Sequence, residues 1–220
     1  MFRPTVQRMS FQRCLSAAFV IAMGLIALGT PTGVDAATGS YVRIEQDWEL
    51  VMATPDPTTT SPQIYIQMDP YPNSAKGGLF LLNYQDSPSF VAGGLQLQLW
   101  NLEQNLALQS FRTGAQLNTA GETITWTQFM TLSNGNLSFG VSRLRSKTFG
   151  NNGAADNWSV STPYSEIKTF TGNYQTSDTL SESGILFGAS AVTSIKLLQV
   201  RKYDSAGQHD AETTTKQLYP

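Results

Sequence analysis

Residues 124–141 read ITWTQFMTLSNGNLSFGV, and the fold can be argued from this stretch. Ile124, Trp126, Gln128 and Met130 fall on one face of an extended chain, against Thr125, Thr127 and Phe129 on the other. Leu137, Phe139 and Val141 then alternate again with Ser138 and Gly140. A period of two is the pattern of a half-buried strand. Between the two runs lies Asn134-Gly135, a pair that tolerates the positive φ a tight hairpin demands. The stretch therefore predicts two antiparallel strands joined by a short turn.

The same period recurs on both sides of it. Tyr41–Met52 sets Ile44, Gln46, Trp48 and Leu50 against Glu45, Asp47 and Glu49. Ile64, Ile66 and Met68 share a face, as do Leu95, Leu97 and Leu99, and Ser194–Tyr203 makes a last long strand. Turn signals separate these runs: Pro70-Tyr-Pro72-Asn, Asn118-Thr-Ala-Gly121 and Gly150-Asn-Asn-Gly153. Short alternating strands at such spacing, with no helical stretch among them, predict an all-β antiparallel two-sheet β-sandwich. It should span residues 37–204, with Ile64, Ile66, Leu95, Leu97, Trp126, Leu137 and Phe139 in its core. Residues 56–62 (DPTTTSP) and 149–157 (FGNNGAADN) read as surface loops. The segment 205–220 is polar with few apolar anchors, and its composition predicts a disordered tail.

The N-terminus is an address. Arg3, Arg8 and Arg13 precede an apolar run of 14 residues from Leu15 to Leu28. Helix-breaking and small residues follow, ending in Val34-Asp35-Ala36. That order predicts a secretory signal peptide over residues 1–36, cleaved after Ala36. The run is shorter than the roughly 20 residues a membrane-spanning helix needs, so no stable span is expected after cleavage. The expected destination is secreted or periplasmic, in the cell envelope. Losing Arg3, Arg8, Arg13 and Asp35 takes the whole-chain balance of 14 basic and 16 acidic residues to 11 and 15, a net charge of −4. No basic stripe is present for nucleic acid. The one cysteine, Cys14, lies in the leader, and a domain of this size can be stable from its core without disulfides. Cysteine avoidance in an exported chain fits a bacterial source.

With its strands in order, the chain resembles the concanavalin A-like lectin/glucanase β-sandwiches, including their laminin-G-like relatives. The resemblance lies in the opening strand Tyr41–Met52, GGLQLQLWN at 93–101, the hairpin at 124–141 and the closing strand SIKLLQVRKYD at 194–204. It is also similar to exported bacterial proteins. The resemblance implies a two-sheet jelly roll of a kind that commonly binds glycans and sometimes cleaves them.

Three groups of side chains could carry chemistry. Glu45, Asp47 and Glu49 share one face of a strand, and they match the E-x-D-x-E skeleton of the glucanase branch of that fold. A retaining glycosidase needs two carboxyls about 5–5.5 Å apart, one of them protonated. The match departs in Gln46, where glucanases carry an aliphatic residue, and in its place at the start of the mature chain. A charged strand is also how sheet edges are kept from aggregating, and no catalytic residue is assigned on this basis. Gln96, Gln98 and Trp100 share a face, a combination suited to sugar, since an indole covers C–H surfaces while amides bond hydroxyls. Trp158 stands beside Asn151, Asn152, Asp156 and Asn157 and could line a loop-built site. Those oxygens are conceivable Ca²⁺ donors, but they lack the spacing of a known calcium loop. No cofactor and no metal is expected. The sole histidine, His209, excludes a Ser-His-Asp triad and a zinc cluster in the domain. The expected function is an exported non-catalytic module that binds carbohydrate. The alternatives are a structural or protein-interaction domain of the envelope, whose partner is another envelope protein, and a carboxylate-based glycoside hydrolase.

Overall fold

The structure is a computed structural model that describes residues 40–54, 62–83 and 93–220. The expected leader and most of the expected loop 56–62 lie outside the described residues. Twelve strands, one α-helix and one 3₁₀ turn are described. The strands are β1 (Tyr41–Met52), β2 (Gln63–Met68), β3 (Lys76–Leu82), β4 (Leu95–Asn101), β5 (Gln104–Phe111), β6 (Thr123–Ser133), β7 (Asn136–Arg145), β8 (Trp158–Pro163), β9 (Gly184–Phe187), β10 (Val192–Asp204), β11 (His209–Glu212) and β12 (Lys216–Tyr219). The helix α1 (Thr176–Glu182) precedes β9.

All pairings are antiparallel, and the strands form two sheets. The seven-stranded sheet runs β11-β10-β1-β6-β7-β8, with β12 also on β10, and the five-stranded sheet runs β5-β4-β3-β2-β9. The hairpin expected over residues 124–141 is β6–β7, with Ser133 opposite Asn136 and both Asn134 and Gly135 at positive φ. The closing strand β10 lies beside β1 along nearly its whole length.

The inner faces of both sheets bury one continuous core. Ile44, Trp48, Leu50, Trp126, Leu137 and Phe139 come from the larger sheet, and Ile64, Ile66, Phe80, Leu95, Leu97 and Leu99 from the smaller. All seven expected core residues are fully or almost fully buried. Trp48 and Trp126 stack across β1 and β6 with centroids 6.2 Å apart, and Phe80 meets Trp126 edge-on from the opposite sheet. Close approach of the sheets depends on Gly78 of β3, because a methyl group there would overlap the Phe139 ring of β7.

Two expectations need correction. The segment 205–220 carries strands β11 and β12, which add to β10 at Val200–Tyr203 and Ile195–Leu197 respectively. Backbone pairing needs no apolar side chain, and Leu218 and Tyr219 still pack on the core; composition alone therefore misreads the segment. The helix α1 departs from the expectation of no helical stretch. Its sequence TSDTLSE has neither a side-chain cap nor a clear apolar stripe, and it is held by packing on β2.

Candidate functional site

The alternation of β4 sends Leu95, Leu97 and Leu99 into the core and Gln96, Gln98 and Trp100 to the outer face of the five-stranded sheet. These three form a ladder. The Trp100 indole N–H donates to Gln98 Oε1 at 2.5 Å, Gln98 Nε2 donates to Gln96 Oε1, and Gln96 Nε2 donates to Ser110 Oγ of β5 at 3.1 Å. Gln96 and Gln98 are only 4% and 5% exposed. Their amides are engaged in orienting the indole and offer little surface to a ligand. Of the three β4 side chains only Trp100 is half-buried and reaches solvent.

Trp100 pairs with Gly77 of β3. A side chain at Gly77 would collide with Asp69, whose carboxyl fills that space from the far side. No side chain therefore stands between Asp69 and Trp100 along this row of the sheet. Gln67, one row away on β2, holds the acid from below: its Nε2 lies 3.2 Å and 3.3 Å from the two Asp69 oxygens and 2.7 Å from Glu182 Oε2. Glu182 is the last residue of α1, and the next residue, Ser183, accepts the Gln67 backbone N–H at 2.9 Å. Burial pushes the Asp69 carboxyl up to about 8, and the hydrogen bond and charge of Glu182 add to the effect. The Asp69 carboxyl therefore keeps its proton at neutral pH. This pair was not anticipated from sequence. Asp69 precedes Pro70 and reads as a turn residue, and Glu182 lies far away in the chain.

Glu45, Asp47 and Glu49 lie on the outer face of the seven-stranded sheet, and the first two are occupied. Arg201 of β10 donates from Nε and Nη2 to Glu45 Oε2 at 3.1 and 3.0 Å, and from Nη2 to Asp47 Oδ1 at 2.7 Å, with Nη1 on the other Asp47 oxygen. Arg43 Nε holds Glu45 Oε1 at 2.9 Å, and Thr127 Oγ1 donates to Asp47 Oδ1 at 2.7 Å. Burial opposes ionisation of Glu45, but the charge and hydrogen bonds of Arg43 and Arg201 outweigh it and hold the carboxyl below its usual range. Asp47 is likewise lowered, with burial again overcome by Arg201 and Thr127. Glu49 meets Lys196 at 3.9 Å. A glycosidase acid needs a raised value, and Glu45 and Asp47 are shifted the opposite way.

Trp158 belongs to a strand and not to the loop of oxygens that precedes it. It opens β8, stacks on Phe111 of β5 with centroids 4.5 Å apart, and carries Arg112 over its ring at 5.7 Å. It closes one side of the sandwich between the two sheets. The neighbouring oxygens serve their own loop: Asn151 Oδ1 accepts from Ser146 N, Asn152 Oδ1 from Leu144 N, and Asp156 Oδ2 from Gly153 N. Gln46 and Gln128 face each other on the inner sides of β1 and β6, fully buried. Gln46 donates to Tyr174 and Thr179 and accepts the Trp48 indole N–H at 3.1 Å. Neither amide atom of Gln128 has a partner.

No protein-family model and no curated protein matches the chain. Among solved structures it is similar to scytalido-glutamic peptidase with a transition-state analogue inhibitor, at 14% identity over 80% of this chain and 82% of that one, with a TM-score of 0.36. It is also similar to SCP-B, a member of the eqolisin family of peptidases, in a complex with the tripeptide Ala-Ile-His, at 12% identity over 80% and 82%, with a TM-score of 0.32. The sandwich assignment itself rests on the strand pairing and the shared core.

Proposed function

We propose that this chain is an exported, non-catalytic module that binds carbohydrate on the outer face of its five-stranded sheet. The observation that carries the reading is Trp100, fixed by the Gln98–Gln96–Ser110 ladder and bordered across Gly77 by the Asp69 carboxyl. A sugar ring offers an apolar C–H face and a rim of hydroxyls. A preoriented indole suits the first, and rigid support for such a platform spares the cost of ordering it on binding. The Asp69 carboxyl is itself buried, and being protonated at neutral pH it sets no charge beside the ring. Binding is favoured over cleavage because Glu45 and Asp47, the acids that match a glucanase skeleton, are tied to Arg201 and held below their usual range, so neither is poised as an acid.

The test is affinity electrophoresis and calorimetry of the purified protein against a panel of polysaccharides. Saturable binding that falls at least tenfold (about 1.4 kcal/mol) in Trp100→Ala, and is largely kept in Trp100→Phe, is the expected result. Absence of binding across the panel, or equal binding by Trp100→Ala, overturns the reading; release of reducing sugar by the wild type overturns its non-catalytic half. Export is tested separately. The mature protein from its native host should begin at Ala37, and a membrane-retained species beginning at Met1 would refute cleavage.

A further inference from the structure

Each sheet has two outermost ends, and they differ in how they are protected. In the seven-stranded sheet, β11 is four residues long and carries Asp210 and Glu212, β12 is four residues long and begins with Lys216, and β8 runs six residues to Pro163. In the five-stranded sheet, β9 has four residues. Short length, charge and proline are the usual protections of a sheet edge. β5 has none of these three, and its one irregularity is a β-bulge at Leu106, between Asn105 and Ala107. It runs eight residues, QNLALQSF, without charge, glycine or proline, and among the described residues it pairs only with β4. Leu108, on the outer face opposite Gln98, is 53% exposed. Leu102, in the β4–β5 turn, is 74% exposed, so two of the three exposed large apolar side chains among the described residues lie in this one hairpin.

We propose that β5 is a dimerisation edge, where the same strand of a second copy adds antiparallel and joins the two five-stranded sheets. A two-fold axis perpendicular to a sheet places a residue opposite itself. Centred on Leu108, it sets Leu108 against Leu108 of the second copy on the outer face and Ala107 against Gln109. Directly opposed side chains have Cβ atoms about 4.5–5.5 Å apart, close enough for the two exposed leucines to cover one another. The strand is neutral throughout, so nothing in it repels its own copy, whereas β11 brings Asp210 and Glu212 against any copy of itself. Of the other four edge strands none is as long, and from Ala107 to Phe111, around Leu108, β5 pairs with β4 without a register shift. The inference is independent of what Trp100 binds.

Sedimentation equilibrium of the purified protein tests it, alongside variants Leu108→Lys and Leu108→Glu. The wild type is expected to show a reversible monomer–dimer equilibrium. Each variant alone should weaken it by at least tenfold, because like charges meet at the axis, and an equimolar mixture of the two should restore a heterodimer. Amide exchange in residues 104–111 should slow as wild-type concentration rises, a readout that needs no variant. A wild type that stays monomeric to its solubility limit overturns the proposal. So does a dimer that Leu108→Lys leaves intact, or amide exchange in β5 that is independent of concentration.

Discussion

Arg201 sets its guanidinium between Glu45 and Asp47, and both carboxylates are shaped around it. Its truncation would leave Glu45, which is almost wholly buried, with Arg43 as its nearest cation. Removing one partner of a buried pair costs about 3–5 kcal/mol; with Arg43 still in place, Arg201→Ala should cost about 2–3 kcal/mol, read as a lower urea midpoint. Glu49→Gln, which loosens only a half-exposed contact to Lys196, should stay within about 0.5 kcal/mol. Equal effects from the two would refute the division between a tied pair and a solvated third acid. Gln128 presents the opposite case, a buried amide with both polar atoms unpaired. An unmet buried hydrogen-bonding group costs about 1–3 kcal/mol, and an apolar side chain of similar shape escapes that cost. Gln128→Leu should therefore raise the urea midpoint, and a fall would mean that the amide has a partner in solution.

At the scale of elements, most of the sandwich was legible because its strands are amphipathic. Where one face is core and the other solvent, as in β1, β2, β4, β6 and β7, alternation states both the strand and its orientation. Legibility failed where a segment draws its structure from its neighbour. Strands β11 and β12 take theirs from the backbone of β10, and α1 takes its from packing on β2. The candidate site was half legible for the same reason. Trp100 and its glutamines lie on one strand and could be seen together, although their roles could not: the ladder turns the glutamines from ligand contacts into supports. Asp69 and Glu182 are brought together by the packing of α1 on β2, a contact no local pattern announces. The successive glycines of β3 tie the two levels together, Gly78 admitting Phe139 from the other sheet and Gly77 admitting Asp69. Gly78→Ala should cost about 1–3 kcal/mol through overpacking, measured by thermal or urea unfolding, since its clash is with a fully buried ring. A neutral result would mean that the sheets are free to separate there.

Across the whole molecule, the two outer faces give stability opposite dependences on pH. Glu45 and Asp47 ionise more readily folded than unfolded. Their contribution is present above their ordinary values of about 4 and is lost as pH falls through their lower folded values. Asp69 behaves in reverse, rising from 3.8 to about 8 on folding. Between those values the unfolded chain has released a proton that the folded chain still holds, so stability falls as pH rises through this window. One proton sets the steepest slope from this group at about 1.4 kcal/mol per pH unit. Stability should therefore peak on the acid side of neutrality, near pH 4–5 by these values, and decline toward pH 8. Asp69→Asn keeps the shape and removes the titration, so urea unfolding of this variant should show a flatter profile between pH 5 and 8 while keeping the fall below pH 4. An Arg201→Ala background should do the converse, weakening the acid-side fall and leaving the decline toward pH 8. If Asp69→Asn retains the wild-type decline, the proton held at neutral pH is not on Asp69, and the uncharged border assigned to Trp100 goes with it.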